Sequence, residues 1–387
     1  MNLYNKMLTD RHIATSPSLP LSHLQENISG GGKCSRLIGL DLLRICLAIL
    51  VFLFHSHIHV LKCDYGLLNG FVRMGALAMT GFFLLSGYVL EFTSSNKDFT
   101  NIKQIKTFYI KRLITILPLY YSYALINVGI NMIHHGKVAV IQELLLFPIE
   151  TLGIQTCFNG LFTFSHNGGS WFISCILICY FFYPLLHVLL RAISNKARII
   201  IIALCAFLLL WSVFVDHYFN LGGIYSNPFI RMMEFMIGVL VFQLNVKDEN
   251  SMMICWLRKP IVCVLTIFLL IAGVIFAYYI GIPHDYMLYS WMALPCFISL
   301  LFSLGTMKFG KLQNSKVVRY LSDLSFSLFL SQLLIVWVFV QTVLGYFNID
   351  SNLANICLSA IVCFSIANIL HYCIERPCAR TLKTKML

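Results

Sequence analysis

Charged residues are scarce in this 387-residue sequence, at 11% against about 25% in soluble domains. Hydrophobic residues make up 59% of the chain, and the mean hydropathy is +0.80. These values exclude a soluble enzyme, a disordered protein and a nucleic-acid-binding module. Apolar blocks such as Ile199–Val215 and Ile261–Ile280 are long enough to cross about 30 Å of hydrocarbon as helices. We therefore predict an all-α, polytopic membrane protein.

The chain also lacks an apolar segment near its start, which a cleavable signal sequence requires. Residues 1–35 are polar and rich in Ser, Thr, Asn and Gly, so we predict a cytoplasmic tail there. Hydropathy predicts a membrane domain of about ten transmembrane helices over 36–380 and a basic cytoplasmic tail over 381–387. The predicted spans are about 38–60, 70–91, 112–133, 171–190, 198–216, 228–245, 260–280, 287–306, 321–345 and 353–373.

Basic residues fall on alternate sides of these spans. Most of the 28 Lys and Arg residues lie in segments that the alternation assigns to one side, whereas the other side holds mainly Lys62 and Lys137. Because cytoplasmic loops are enriched in Lys and Arg, both termini are predicted to be cytoplasmic. The formal net charge of +12 then follows from topology, and no nucleic acid or other polyanion is needed as a partner.

The longest predicted outer segment, about 134–170, contains an apolar amphipathic stretch, Val138–Leu152. A segment of this length either caps an outward-facing site or forms an interfacial helix, and the sequence leaves both open. No Cys-x-x-Cys pair occurs among the 14 cysteines, most of which lie inside predicted spans. Cys63 and Cys157 are both predicted outside, and their pairing as a disulfide is left open as well.

The first predicted span carries three ionisable residues, Asp41, Arg44 and His55, and ionisable residues inside a membrane are functional candidates. Arg44 and His55 are eleven positions apart, so at about 100° per residue both project from one helix face, roughly 16 Å apart along the axis. Asp41 lies one turn below Arg44 and can pair with it. A neutral imidazole can take a proton from a hydroxyl, which makes His55 a candidate general base. The alternative is structural: an interfacial ion pair and an interhelical histidine.

Other polar positions have weaker signals. His55 and His59 have the spacing of a metal pair, but no acidic or Cys residue flanks them, so we expect no metal. Arg231 and Glu234, three positions apart, predict a local ion pair. The basic pair formed by Lys111 and Arg112 either holds phosphates of a nucleotide-containing donor or anchors the helix to anionic lipid.

Several motifs together resemble the acyltransferase family 3 proteins, integral-membrane acyltransferases of bacterial surface glycans, over about residues 36–380. They occur in the family's order. The matching pieces are Leu40–Arg44 with His55, Phe82–Tyr88, Phe108–Arg112 with Pro118–Tyr120, Trp171–Ile173 with Tyr183–Leu185, Arg231–Gly238, Leu321–Leu330 and Ile374–Pro377.

The resemblance implies an O-acetyltransferase of the bacterial cytoplasmic membrane. It would transfer acetyl from cytoplasmic acetyl-CoA, without a permanently bound cofactor, to a sugar hydroxyl of a lipid-linked surface polysaccharide such as O-antigen or capsule. This chain departs from the pattern at three places. Thr115 stands where many members have a second Arg, Ile176 replaces a common acidic residue, and Gln332 stands where many have His.

From this resemblance we assign catalytic roles to His55, Arg44 and Asp41. Donor binding is assigned to Lys111, Arg112 and Ser86, and acceptor binding to Trp171, Arg231 and Glu234. Two alternatives stay open from the residues alone: a transporter or flippase of a lipid-linked glycan, and an acyltransferase that uses succinyl or another acyl donor.

The position of His55 in its span predicts on which side of the membrane the acceptor receives the acyl group. His55 lies 17 residues into a span that starts near Ile38, about 25 Å from the inner boundary at 1.5 Å per residue. That depth is in the outer half of a roughly 30 Å core, so we predict transfer of the acyl group across most of the bilayer.

Overall fold

The computed structural model describes most of the chain from Arg36 onward, apart from a few connections and some side chains within helices. The described residues are 36–59, 63–158, 170–219, 223–248, 251–281, 289–332, 334–349 and 351–386. The predicted N-terminal tail, 1–35, lies outside them. Every regular element in the described residues is helical, which confirms the all-α fold.

Thirteen helices of eight residues or more account for the described architecture. They are α1 (Ile38–His59), α2 (Ala78–Ser94), α3 (Ile102–His135), α4 (Lys137–Leu152), α5 (Trp171–Ala192), α6 (Asn195–Phe219), α7 (Pro228–Lys247), α8 (Pro260–Tyr279), α9 (Ser290–Leu304), α10 (Lys316–Ser331), α11 (Leu334–Tyr346), α12 (Asn352–Ile369) and α13 (Arg376–Met386).

Seven helices in the described residues are long and apolar enough to cross a membrane, or eight if the bent pair α10 and α11 forms one span. These numbers support a polytopic membrane protein, although in the described residues fewer helices meet this criterion than the ten spans expected from hydropathy. The predicted third span lies inside the 34-residue helix α3, and the predicted eighth falls largely on the 15-residue helix α9. Neither helix is among the seven.

Several helix starts follow from local sequence. Asn227 accepts a hydrogen bond from the backbone N–H of Phe229, and Pro228 occupies the first turn of α7, where its missing N–H costs nothing. Ser315 caps α10 and Ser351 caps α12 in the same way. The polar residues between apolar blocks therefore fix where these helices begin.

The closest helix packing joins α2 to α7. A Cβ atom added at Gly87 would collide with the carbonyl oxygen of Phe235, and one at Gly238 with the carbonyl oxygen of Leu84. Small residues allow helix backbones to approach this closely in membranes. The buried helix α2 thereby becomes the centre of the bundle, with α1 and α9 also packed against it.

At one end of the bundle, basic side chains donate hydrogen bonds that join the ends of neighbouring helices. We call this end the basic end. Arg191 Nη1 donates to the carbonyl oxygen of Ser95 at 2.7 Å, and Lys247 Nζ donates to that of Arg191 at 3.2 Å. Arg258 Nε donates to Asn245 Oδ1 at 2.9 Å. These contacts match the alternation of basic residues in the sequence.

The predicted ninth span, 321–345, is not one straight helix. It is divided between α10 and α11, whose axes differ by 78°. Gln332, at the C-terminal end of α10, ends the helical hydrogen bonding there. Hydropathy joined the two helices although polar residues such as Asp323 interrupt the span, because hydropathy reports burial in lipid and not helix direction.

The outer segment predicted over 134–170 contains α4, and its residues 159–169 lie outside the described part. The face of α4 that carries Leu144, Leu145 and Phe147 is exposed. The other face is tied to α3, where the Tyr120 hydroxyl donates to the carbonyl oxygen of Glu150 at 2.6 Å. An exposed apolar face is typical of an interfacial helix and favours that alternative. The thiols of Cys63 and Cys157 are free.

Candidate active site

Asp41 is the centre of a charged cluster near the start of α1. Its carboxylate accepts hydrogen bonds from Arg36 Nε at 3.0 Å and Nη2 at 3.1 Å, and from Ser322 Oγ at 2.6 Å. The predicted partner, Arg44, also reaches Asp41, at 3.4 Å. The expected Asp41–Arg44 pair is therefore present, but Arg36 and Ser322 make the shorter contacts, and sequence reasoning assigned no role to either.

The negative charge of Asp41 faces two guanidinium groups, and Arg36 makes closer contacts with it than Arg44 does. Arg44 Nη1 donates its shorter bond to Ser322 Oγ, at 3.1 Å. Arg36 is additionally paired with Asp323 at 2.9 Å. The charge of Arg44 is therefore less completely neutralised than that of Arg36. The side chain of Arg44 lines a cavity.

This cavity, of about 270 Å³, lies between α1, α2, α3, α5 and α10, beside the turn that follows α12. It brings together Arg44 and Ser86, which were assigned to different roles, with Glu375 and Tyr180. Its wall is formed by Arg44, Phe82, Ser86, Thr115, Ile116, Phe172, Ile176, Tyr180, Ser322, Asp323, Ser325, Phe326, Phe329 and Glu375. Aromatic side chains with a few convergent polar groups are typical of a ligand site.

Glu375 is a cavity residue to which sequence reasoning gave no role, although it lies in the terminal motif. Its Oε2 accepts a hydrogen bond from Ser327 Oγ at 2.6 Å and lies 2.8 Å from His371 Nδ1. Both residues of the Glu375–His371 pair lie in a π-helical segment, Leu370–Glu375, just before Pro377. Pro377 offers no N–H and crowds the preceding turn, which explains the widened helix. The sequence feature that could have pointed to Glu375 is its position as an acidic residue next to an apolar span.

Two of the predicted donor residues, Lys111 and Arg112, lie at the basic end next to the cavity, whereas the third, Ser86, lines the cavity itself. The guanidinium carbon of Arg112 is 5.5 Å from the ring centroid of Tyr180, and Tyr180 also lines the cavity. Arg112 Nε is buried without a hydrogen-bond partner. Lys111 is exposed on the same helix. Tyr180 thus links the basic residues to the space that holds Arg44 and Ser86.

His55 lies at the other end of α1 and is not part of the cavity wall. Its ring stacks on His59, with centroids 5.5 Å apart, and on Trp337 of α11, 6.5 Å away. Its Nδ1 is buried and has no hydrogen-bond partner. Since Arg44 contacts α10 and His55 contacts α11, both side chains face the α10–α11 pair, as their spacing predicts. Among the described residues, no cluster of three His, Cys, Asp or Glu is placed to hold a metal.

The residues assigned to the acceptor form a closed cluster elsewhere in the bundle. Arg231 and Glu234 are fully buried and paired at 2.8 Å, and Thr80 Oγ1 donates to the same carboxylate at 2.8 Å. The Arg231 guanidinium carbon lies 5.4 Å from the ring of Trp171 and 4.7 Å from that of Tyr225. The local ion pair is present as expected. Its enclosure fits a stabilising role, and acceptor binding by these three residues stays a prediction.

A second buried polar network joins α2, α5, α6 and α7 at the basic end. Glu91 Oε2 lies 2.8 Å from His187 Nδ1 and accepts a hydrogen bond from the Tyr183 hydroxyl at 2.7 Å. Gln243 Nε2 donates to Glu91 Oε1 at 3.0 Å, and Arg198 Nε donates to Gln243 Oε1 at 2.9 Å. Sequence reasoning missed this network because its members are far apart in the chain.

The three departures from the family pattern fall at the cavity or at the helix bend. Thr115 and Ile176 line the cavity, where they add a hydroxyl and an apolar surface in place of charges. Gln332 lies at the end of α10, and its buried Oε1 has no hydrogen-bond partner. The cavity in this chain therefore carries fewer charged groups than the family pattern implies.

The apolar helices indicate an integral-membrane protein, and an internal cavity beside Arg112 is the candidate site. Residues 37–371 match the model of the acyltransferase 3 family, described as an acyltransferase domain. The chain belongs to this family, which confirms the resemblance, and it is a membrane acyltransferase. Comparisons with curated proteins and with solved structures found no match.

Proposed function

We propose that the protein transfers acetyl from acetyl-CoA to a sugar hydroxyl of a lipid-linked surface polysaccharide, such as O-antigen or capsule. It would act in the bacterial cytoplasmic membrane with both termini in the cytoplasm. One observation carries the proposal: the cavity of this acyltransferase holds Arg44 and Ser86 and meets Arg112 at Tyr180. A donor with an anionic end and an acyl end fits that arrangement.

The cytoplasmic orientation is supported by the positions of the basic residues. Lys and Arg are enriched on the cytoplasmic side of membrane proteins, so the basic end would face the cytoplasm, where acetyl-CoA is made. The phosphates of the donor would bind Lys111 and Arg112. Its thioester would then extend past Tyr180 into the cavity, towards Ser86 and Arg44.

The proposed chemistry is a direct acyl transfer with His55 as general base. His55 accepts the proton of the acceptor hydroxyl, and the oxygen attacks the thioester carbonyl carbon. The carbon–sulfur bond then breaks, and the thiolate of coenzyme A leaves and takes up the proton that His55 accepted, which returns His55 to its neutral form. Asp41 holds Arg44 through their shared contact with Ser322, and Arg44 keeps the polar path along which the acyl end of the donor passes towards His55.

The distance along α1 gives this mechanism a direction. Arg44 and His55 are roughly 16 Å apart along the helix axis, and both face α10 and α11. An acyl group delivered from the basic end would therefore travel towards the opposite end of the bundle before it meets the acceptor. The unpartnered Nδ1 of His55 suits a group that takes up a proton there.

Sealed vesicles that contain purified protein in one known orientation test this arrangement. Acetyl-CoA is supplied on the side of the basic end and an impermeant glycan acceptor on the opposite side. We expect acetylation only when donor and acceptor are on opposite sides. Activity that requires both on the side of the basic end would contradict transfer across the bilayer, while acyltransferase activity itself would be preserved.

The identity of the acyl group is tested separately. Acetyl-CoA and succinyl-CoA are offered in competition, and the product is analysed by mass spectrometry. We expect an acetyl ester that mild alkali removes. Succinyl transfer would change the donor but keep the enzyme class, whereas movement of glycan without any ester would support the flippase alternative.

A further inference from the structure

Lys97 lies in the connection between α2 and α3, at the basic end and outside the membrane-spanning helices. Its ammonium group donates a hydrogen bond to Ser94 Oγ at 3.1 Å. Its Nζ atom also lies 6.0 Å from the ring centroid of Phe99 and 5.7 Å from that of Phe108. The side chain is thus folded back onto the protein and does not extend into solvent.

Two cations share the ring of Phe108. The guanidinium carbon of Arg112 is 5.7 Å from its centroid, the same distance as Lys97 Nζ. Burial, and then the positive charges of Arg112 and Lys111, lower the pKa of the Lys97 ammonium to about 8. In the described part of the chain, none of the three cations forms an ion pair with a carboxylate. Like charges held this close without a counter-ion indicate a site for an anion.

The other charged groups nearby are already engaged. Asp98, next in the chain, accepts hydrogen bonds from the backbone N–H and hydroxyl of Thr100. Behind Phe99, the ring of His187 lies 4.9 Å away and is paired with Glu91. In the described residues, neither carboxylate forms an ion pair with Lys97.

The second observation is an unsatisfied donor. Arg112 Nε is buried and makes no hydrogen bond, which costs free energy unless a ligand supplies an acceptor. The same guanidinium lies 5.5 Å from the ring of Tyr180, at the edge of the cavity. An anion bound here would satisfy Arg112 and lie beside the cavity entrance.

We propose that Lys97, together with Lys111 and Arg112, binds the phosphate groups of the acyl donor. This inference rests on the proposed function and adds a residue outside the resemblance motifs. Phosphate oxygens accept charge-assisted hydrogen bonds from ammonium and guanidinium groups, and two cations facing one aromatic ring bring such donors together. Anchoring at this cluster directs the thioester past Tyr180. The headgroup of an anionic phospholipid offers the same chemistry, and the experiment separates the two sources.

The kinetic test compares two donors, acetyl-CoA and S-acetylpantetheine, which carries the same thioester without the nucleotide. Lys97→Ala should raise KM for acetyl-CoA about tenfold or more, with little change in kcat. Its kinetics with S-acetylpantetheine should equal those of the wild type. Lys103→Ala and Lys106→Ala, at exposed basic positions of α3, serve as matched controls. Their KM and kcat should equal those of the wild type with either donor. An equal effect of Lys97→Ala on both donors would overturn the proposal.

A pH series adds a readout that a structural role would not change. Only the protonated ammonium binds phosphate, so KM for acetyl-CoA should rise about tenfold between pH 7 and pH 9 as Lys97 loses its proton. Lys97→Arg keeps its charge over this range and should abolish the rise. A wild-type KM that is flat across this range would contradict a phosphate contact by Lys97.

Direct binding separates this inference from the proposed function. Calorimetric titration of detergent-solubilised protein with coenzyme A should give at least tenfold weaker affinity for Lys97→Ala, even if the acceptor has been assigned wrongly. Equal affinities would reject the inference and leave the function intact. In a third arm, the same detergent-solubilised protein is titrated with phosphatidylglycerol in mixed micelles. A loss of phosphatidylglycerol affinity in Lys97→Ala, without a loss of coenzyme A affinity, would assign the cluster to lipid and reject donor binding.

Discussion

Arg44 donates a hydrogen bond to Ser322 Oγ over 3.1 Å, and this contact joins α1 to α10 at the wall of the cavity. The Ser322 hydroxyl in turn donates a hydrogen bond to the Asp41 carboxylate at 2.6 Å. The orientation of Arg44 is therefore set by a serine that is 278 residues away in the chain. This relationship links the charged start of α1 to the site.

Removal of the Asp41 charge should weaken both stability and activity. In Asp41→Asn, an NH₂ group replaces one oxygen of a buried carboxylate and cannot accept a hydrogen bond from Arg36. Two guanidinium groups thereby lose their shared counter-charge. We expect a loss of about 1–3 kcal/mol in the free energy of unfolding. Thermal unfolding in detergent gives the measurement, with Asp323→Asn, whose carboxylate is exposed, as the control. Equal effects of the two substitutions would show that Asp41 is not the centre of the cluster.

The contact between α2 and α7 predicts a sharp difference between two glycines. Gly87→Ala places a methyl group against the carbonyl oxygen of Phe235 and should cost roughly 1–3 kcal/mol or more. Gly129→Ala in α3 meets no atom within 4 Å and should be neutral or stabilising, because Ala favours the helix by about 1 kcal/mol. Melting temperatures of the two variants, measured in the same detergent, provide the comparison. A Gly87→Ala protein as stable as the wild type would refute the close packing.

The Arg231–Glu234 pair distinguishes a stabilising role from acceptor binding. Arg231→Met alone leaves Glu234 charged and buried, and should destabilise the protein by about 3–5 kcal/mol. The double variant with Glu234→Met removes both charges and should recover most of that stability. If the pair is structural, the recovered protein should keep its KM for the glycan acceptor. A stable double variant with a greatly raised acceptor KM would instead support the acceptor-binding assignment.

Glu375 should matter for activity more than for stability. Glu375→Gln keeps the shape of the side chain and one oxygen for Ser327 and His371, but removes the negative charge from the cavity. We expect kcat to fall by at least about tenfold, with a small change in melting temperature, because charged groups in a secluded site control the reacting centre. Steady-state kinetics with acetyl-CoA measure the effect. Full activity would mean that Glu375 only supports the π-helical turn.

The sequence allowed the fold class and the first-helix residues to be predicted, because both follow from local periodicity. Apolar blocks indicated the helices, and the eleven-residue spacing correctly placed Arg44 and His55 towards one helix pair. Contacts such as Ser322 to Asp41 were not predictable, because nothing in a single sequence relates positions 281 residues apart. The 78° bend between α10 and α11 was hidden for another reason: averaged hydropathy joins the two helices into one span despite the polar residues of α10.

Mass spectrometry of the surface polysaccharide, from cells that produce wild-type or His55→Ala protein at equal levels, decides the role of His55. Loss of a general base typically lowers the rate of transfer by about 10²–10⁴. We expect an alkali-labile acetyl ester on the wild-type glycan and its loss in the variant. A glycan with normal ester content from His55→Ala cells would contradict the catalytic role of His55, and a wild-type glycan with no added acyl group would contradict the proposed function itself.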